Sequence, residues 1–238
     1  MTYATLCRLL CMLVLAVMLG MRTDGAQAQA SIDGEASGPP TFDKHLLDGI
    51  YHIQSPAFRG VMRVAGATAF PVYLGGPAVA WLSVWAVRGG GDWSDAYRLT
   101  LSEMGTLGAT VGLKYLVRRP RPFVRLRDIE ARSPISRWDP YSFPSGHTSV
   151  AFALVTSWTL SHPRWYVAAP GYLWATSVAV SRVWQGVHYP SDILFGALLG
   201  SAVAWGAHAL GDTITPAVLR KDDDRPAMPV IHLRIPLF

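Results

Sequence analysis

The chain has 238 residues, of which 50% are hydrophobic and only 16% are charged, and its formal net charge at pH 7 is +5. This length suits one domain, and the apolar composition with nine tryptophans favours a membrane protein over an ordinary soluble one. The positive charge could suit nucleic acid or anionic lipid, but no nucleic-acid-binding motif accompanies it, so we exclude nucleic acid as a partner.

The first 30 residues have the features of a targeting segment. Arg8 precedes an apolar stretch from Leu9 to Leu19, which is shorter than the roughly 20 residues that a membrane-spanning helix needs. Small residues at Ala26–Ala30 then offer cleavage sites. We therefore predict a signal peptide over residues 1–30, with an uncleaved anchor as the alternative, followed by a Gly/Ser/Pro-rich linker over residues 31–41.

Helical patterns occupy most of the remaining chain. Residues 42–58 are amphipathic, which suits either a helix lying on the bilayer or one packed on the domain. Five longer helices are predicted over Val64–Val87, Asp95–Val117, Ser145–Leu160, Trp165–Val180 and Ser191–Leu210. The first of these contains no charged residue, whereas the second carries Arg98 and Glu103, which we expect to face the bundle or the interface as a structural pair. The predicted fold is an all-α, membrane-embedded bundle of about five helices in addition to the N-terminal segment.

The segment from Arg118 to Phe143 is long, polar and rich in proline, and seven arginines lie between positions 118 and 137. A loop of this length is unusual in a compact domain unless it serves a site. We interpret it as a phosphate-handling loop, in which Arg118 and Arg119 are expected to contact solvent or lipid headgroups and to have no part in catalysis.

Three short motifs carry the candidate chemistry. Lys114 and Arg121 are seven residues apart, and Pro122 follows them. The second motif, Pro144–His147, opens a predicted helix, and a helix N-terminus suits an anion because its first N–H groups have no partner inside the helix. The third motif is Ser181–Asp192. Taken alone, each has a simpler explanation, such as a helix cap with a surface histidine.

Together, the order Lys-x6-Arg-Pro, Pro-Ser-Gly-His and Ser-Arg-x5-His-x3-Asp resembles the three-part signature of the type 2 phosphatidic acid phosphatase (PAP2) family. Its superfamily also contains bacterial acid phosphatases and vanadium haloperoxidases. The resemblance spans roughly residues 42–211, which we take as the phosphatase domain, and leaves residues 212–238 as a C-terminal tail of unassigned role.

The resemblance implies metal-independent hydrolysis of a phosphomonoester or diphosphate through a phosphohistidine, without a cofactor. It assigns nucleophilic attack to His188, acid and base catalysis to His147, and orientation of the nucleophile to Asp192. Phosphate binding falls to five residues that supply positive charge or hydrogen-bond donors: Lys114, Arg121, Ser145, Gly146 and Arg182.

Membrane topology agrees with a single site. If the signal peptide is cleaved, the mature chain begins outside the cytoplasm, and the alternating helices bring all three motifs to the outer face. We therefore expect a bacterial-type inner membrane protein whose active site is periplasmic or extracytoplasmic, with the bilayer and a lipid phosphate or diphosphate as its partners.

Two other functions remain open at this point. A vanadium-dependent haloperoxidase would use similar residues to hold vanadate, although such enzymes are generally soluble and larger. A non-catalytic membrane protein could bind anionic lipid through the arginine-rich segment Arg118–Phe143, which we call the arginine loop. The sequence leaves the substrate open among phosphatidate, phosphatidylglycerol phosphate, undecaprenyl diphosphate and lipid A phosphates, and it leaves the oligomeric state open.

Overall fold

The computed structural model describes residues 41–88, 92–133, 139–216 and 219. These residues contain helices and no strand. The helices are α1 Thr41–Tyr51, α2 Pro56–Arg88, α3 Ser94–Val117, α4 Pro122–Arg125, α5 Gly146–Ser161, α6 Trp165–Trp184, α7 Pro190–Ala209 and α8 Gly211–Ile214. The prediction of an all-α fold with five long helices is thereby confirmed. The predicted signal peptide, nearly all of the predicted linker and most of the predicted tail lie outside the described residues.

Several helix boundaries differ from the prediction. Helix α2 begins at Pro56 rather than Val64, because the arginines near its start continue the helix although they interrupt the apolar run. Helix α6 continues to Trp184 rather than Val180, because Arg182 is buried against protein and does not end the helix. The arginine loop, expected to lack helices, contains the short helix α4.

The amphipathic segment forms a helix that packs on the domain. Helix α1 ends at Tyr51, and Leu47 and Tyr51 join a buried cluster with Ile129, Val183 and Tyr189. The pattern left open whether this helix lay on a bilayer or on the protein, and the buried face of α1 favours the protein.

Small residues bring α5 and α7 into close contact. A Cβ atom added at Gly196 would lie 2.9 Å from the carbonyl oxygen of Ser145, and one added at Gly200 would overlap the carbonyl oxygen of Ser149. Only glycine at these positions allows the two backbones to approach so closely. Because α5 and α7 both begin near this contact, it fixes the relative positions of the second and third motifs.

Two helices in the described part of the chain are long and apolar enough to cross a membrane, over Pro56–Ala86 and Pro190–Ala209. Helix α5, with 16 residues, is shorter than a full span. The outer side of α2 is apolar, since Phe70 and Trp85 are 65% and 63% exposed. Large exposed apolar side chains along one helix suit contact with lipid.

Candidate active site

The three motifs converge at one end of the bundle. The side-chain Nζ of Lys114, at the end of α3, donates to the carbonyl oxygen of Tyr141 at 2.7 Å. Arg121 Nη1 donates to the carbonyl oxygen of Val187 at 2.9 Å. The backbone N–H of Ser145 donates to the carbonyl oxygen of Asp192 at 3.1 Å. The ends of α3 and α6, the starts of α5 and α7 and the arginine loop therefore surround one site, and the roles of its residues remain predictions.

His188 is buried at the centre of this site, and a backbone carbonyl sets its tautomer. Its Nδ1 atom lies 2.7 Å from the carbonyl oxygen of Ser142. A carbonyl oxygen only accepts hydrogen bonds, so Nδ1 carries the proton and Nε2 keeps a lone pair. That Nε2 atom lies 3.4 Å from Nη1 of Arg121. Ser142 was not singled out from the sequence, because side-chain patterns give no information on backbone carbonyls.

Asp192, expected to orient this histidine, lies farther from it. Its Oδ2 atom is 3.5 Å from Nδ1 of His188 and accepts a hydrogen bond from the N–H of Tyr189 at 2.8 Å. Asp192 is fully buried and its Oδ1 accepts from Nη1 of Arg119 at 2.6 Å. Asp192 therefore lies near Nδ1 of His188, which also contacts the Ser142 carbonyl, and it forms an ion pair with Arg119.

The electrostatic environment keeps His188 neutral. Burial lowers the pKa of His188 well below its ordinary value, and the positive charges of Arg121, Lys114 and Arg182 lower it further. A neutral imidazole with an available Nε2 lone pair can act as a nucleophile near pH 7.

Arg119 does not lie in solvent or at the lipid headgroups, so that expectation was wrong. Its side chain is only 18% exposed, and Nη2 pairs with Oδ2 of Asp43 at 2.6 Å while Nη1 pairs with Asp192. Its guanidinium lies 4.1 Å from the ring centroid of Tyr189. Burial opposes its charge, but Asp192 and Asp43 hold the pKa of Arg119 above its ordinary value. One indication in the sequence that Arg119 would be buried in ion pairs was its position between Lys114 and Arg121 in the first motif.

Asp43 is a second residue that sequence reasoning missed. It lies on α1, is 1% exposed, and accepts hydrogen bonds from the N–H and the hydroxyl of Ser191 at 2.8 and 2.6 Å. The amphipathic pattern had assigned Asp43 to the polar face of the helix. That face contacts the start of α7, where a carboxylate is stabilised by unpaired N–H groups.

Asp139 lies between two of the predicted phosphate-binding cations. Its Oδ1 is 2.9 Å from Lys114 Nζ, and its Oδ2 is 3.0 Å from Nη2 of Arg121. Burial opposes its ionisation, yet Lys114 and Arg121 hold the pKa of Asp139 below its ordinary value. The Asp139 side chain is 41% exposed and is therefore accessible to solvent.

The start of α5 presents backbone donors. Ser145 precedes the helix, but its side chain makes no capping hydrogen bond and accepts one from the Thr148 hydroxyl at 3.0 Å. The first-turn N–H groups at Gly146 and His147 have no acceptor within the helix and can serve an anion. Tyr73 on α2, which the motifs do not include, donates to the carbonyl oxygen of His147 at 2.6 Å.

Arg182 is buried on the last turn of α6 and is 8% exposed. Among the described residues, its Nε atom has no hydrogen-bond partner.

This chain is similar to a known family of proteins. The family model of the PAP2 superfamily matches residues 96–216. Over 92 residues, the chain is 34% identical to an undecaprenyl-diphosphatase of Sulfolobus acidocaldarius, covering 39% of this chain and 43% of that protein. Over 76 residues, it is 40% identical to a lipid A 1-phosphatase of Porphyromonas gingivalis, covering 31% and 17%. The aligned regions thus span less than half of either relative.

Solved structures show the same fold. The crystal structure of Aquifex aeolicus LpxE matches with a TM-score of 0.55 and 25% identity, covering 71% of this chain and 95% of that one. A transmembrane PAP2 type phosphatidylglycerolphosphate phosphatase from Bacillus subtilis matches with a TM-score of 0.57 and 20% identity, covering 86% and 98%. These matches confirm the predicted membrane-embedded helical bundle.

Proposed function

Because this chain belongs to the PAP2 superfamily, we propose that it hydrolyses a membrane lipid phosphate or diphosphate, without a metal, through a phosphohistidine at His188. The relatives named above act on lipid phosphates or diphosphates by their names, and the apolar surface of α2 would keep this protein in the layer where such lipids lie. The observation that carries the proposal is the hydrogen bond from His188 Nδ1 to the Ser142 carbonyl, which leaves a lone pair on Nε2. Arg121 Nη1, 3.4 Å from Nε2, must turn to the substrate phosphate before that lone pair attacks.

In the first step, the Nε2 lone pair of His188 attacks phosphorus and an N–P bond forms. The P–O bond to the lipid breaks, and His147, which takes up a proton when the phosphate dianion binds beside it, donates this proton to the departing oxygen. The resulting phosphoimidazolium is positively charged, and Asp192 beside Nδ1 stabilises it. In the second step, water attacks phosphorus while His147 accepts its proton, the N–P bond breaks, and His188 returns to its neutral form.

The surrounding cations stabilise the transferring phosphoryl group. Charge spreads over its three equatorial oxygens in the transition state, so fixed positive groups and N–H donors lower the barrier. Lys114, Arg121 and Arg182 supply the charge, and the first turn of α5 supplies backbone donors. The same cations would repel a metal ion, which supports metal-free catalysis.

The test is phosphate release from a panel of lipid phosphates in detergent with excess chelator, comparing the native protein with His188→Gln. We expect release from at least one lipid, its loss in the variant, and an acid-labile phosphoenzyme in the native protein alone. His52→Gln, an exposed histidine at the end of α1, is the matched control. Full release by His188→Gln, or dependence on an added metal, would overturn the mechanism.

A further inference from the structure

A cavity of about 510 Å³ lies beside the candidate active site and has no role in the mechanism above. Its wall includes four arginines, at positions 59, 63, 132 and 182, together with Trp184 and Gln185. Among the described residues that line it there is no carboxylate. A concave surface with several cations and no anion attracts a negatively charged ligand.

The arginines of this cavity have defined positions, and in the described part of the chain they form no ion pair with an acidic side chain. Arg59 and Arg63 lie one turn apart near the start of helix α2, so both point to the same side. Arg132 Nη1 donates to the carbonyl oxygens of Tyr51 and Trp184 at 3.0 and 3.2 Å. Its guanidinium also lies 3.7 Å from the ring centroid of Tyr51. These contacts hold the group in place without neutralising its charge.

Three residues of the wall also carry buried polar atoms that have no protein partner. They are Arg182 Nε, Trp184 Nε1 and Gln185 Oε1, on side chains that are 8%, 4% and 8% exposed. Buried donors and acceptors are nearly always satisfied, because leaving one unpaired is costly. Because these three atoms have almost no accessible surface, a polar ligand in the cavity would reach them only after a small shift of the side chains that carry them.

We propose that the cavity is a subsite for a second phosphoryl group of the substrate, which makes a diphosphate lipid the preferred substrate class. This inference rests on the proposed function. Arg182 lines the cavity and is part of the third motif, and its carbonyl oxygen accepts a hydrogen bond from the N–H of Val187, which precedes His188. His188 attacks the terminal phosphorus, the bridging P–O bond breaks, and the bridging oxygen leaves with the lipid monophosphate. The phosphoryl group of that product lies in the arginine cavity.

The test compares farnesyl diphosphate with farnesyl monophosphate as substrates, so that the lipid chain is constant. In the double variant Arg59→Gln, Arg63→Gln, we expect kcat/KM for the diphosphate to fall by about tenfold, because charge-assisted contacts to the second phosphoryl group are lost. For the monophosphate we expect a change of less than about twofold, which also shows that the variant is folded. Arg164→Gln, an exposed arginine at the start of α6 and outside the cavity, is the matched control and leaves both substrates unchanged.

A second experiment does not depend on turnover. It measures the binding of methylenediphosphonate and of methylphosphonate by tryptophan fluorescence. The native protein is expected to bind the diphosphonate more tightly, and the double variant is expected to lose this preference. The subsite would be overturned if the double variant lost kcat/KM equally for both substrates or lost none for either. It would also be overturned if the native protein bound the diphosphonate no more tightly than methylphosphonate. Diphosphonate binding without a preference for the lipid diphosphate would show a site for free anions and overturn the substrate assignment. If the native protein releases phosphate from neither lipid, the proposed function fails separately.

Discussion

Asp139 lies between Lys114 and Arg121, the two cations that we propose to bind phosphate. Its two carboxylate oxygens each contact one of these cations, so an incoming phosphate must displace or compete with an anion of the protein itself. The carboxylate thus partly neutralises two neighbouring positive charges in the absence of substrate.

Replacing this carboxylate by an amide should strengthen anion binding. In Asp139→Asn the shape and hydrogen-bonding capacity are kept while the negative charge is lost. We expect the inhibition constant of inorganic phosphate to fall by about threefold to tenfold, which corresponds to the modest energy of a partly exposed ion pair. The measurement is competitive inhibition of lipid phosphate hydrolysis. An unchanged or higher inhibition constant would mean that Asp139 positions the cations and does not compete with phosphate.

The stability of the fold depends on pH through His188, because burial lowers the pKa of this side chain. The fold favours the neutral imidazole, so the pKa of His188 is lower in the folded than in the unfolded protein. The stability it contributes is present above about pH 6.5 and is lost as the pH falls towards the folded pKa.

We therefore expect the thermal midpoint in detergent to fall more steeply with acidification in the native protein than in His188→Gln. Intrinsic tryptophan fluorescence during heating, at a series of pH values from about 8 to about 5, provides the comparison. Parallel curves for the two proteins would contradict the prediction, because the other titrating groups are common to both.

At the scale of elements, the contact of α5 with α7 positions the second and third motifs. A methyl group at Gly200 would overlap the backbone at Ser149, whereas a methyl group at Gly206 on the same helix meets nothing within 4 Å. The two glycines thus form a matched pair of positions on α7.

Gly200→Ala should destabilise the protein by about 1–3 kcal/mol, the usual cost of forcing an extra methyl group into a packed interface. Gly206→Ala should be neutral or slightly stabilising, because alanine favours helix over glycine by about 1 kcal/mol or less. Thermal unfolding in detergent and phosphate release would be measured for both. Equal stability of the two variants would show that α7 can shift along α5 without cost.

At the scale of the whole molecule, the two ends of α5 lie on opposite sides of the bundle, about 24 Å apart for its 16 residues. The arginine loop precedes α5, and the turn at Arg164 follows it. If the active site faces outwards, these two regions lie on opposite sides of the membrane.

Single cysteines at two exposed arginines test this orientation. In a background without the two native cysteines, Arg127→Cys should react with a membrane-impermeant thiol reagent on intact spheroplasts, and Arg164→Cys should react only after lysis. The measurement is the labelled fraction before and after lysis. The reverse pattern would place the active site on the cytoplasmic face.

The sequence predicted the long helices and the motif residues that meet at the site, because apolar periodicity and motif order are local properties of the chain. It did not predict the end of α6, since whether Arg182 is buried depends on the surrounding helices. It also missed the pair of Arg119 with Asp43, whose positions are 76 residues apart. A contact of that separation leaves no local pattern, and both residues looked like ordinary polar surface groups.

The hydrogen bond from His188 to the Ser142 carbonyl has a consequence for variation at position 142. Every amino acid brings the same carbonyl, so exchanging the side chain there does not remove the group that sets the tautomer. Proline is the exception, because the N–H of Ser142 donates to the Arg119 carbonyl at 2.8 Å and proline has no N–H. The orientation of His188 therefore depends on the path of the main chain, whereas the fully buried Ser142 side chain, whose hydroxyl donates to the carbonyl oxygens of Arg119 and Pro120, limits which residues fit at this position.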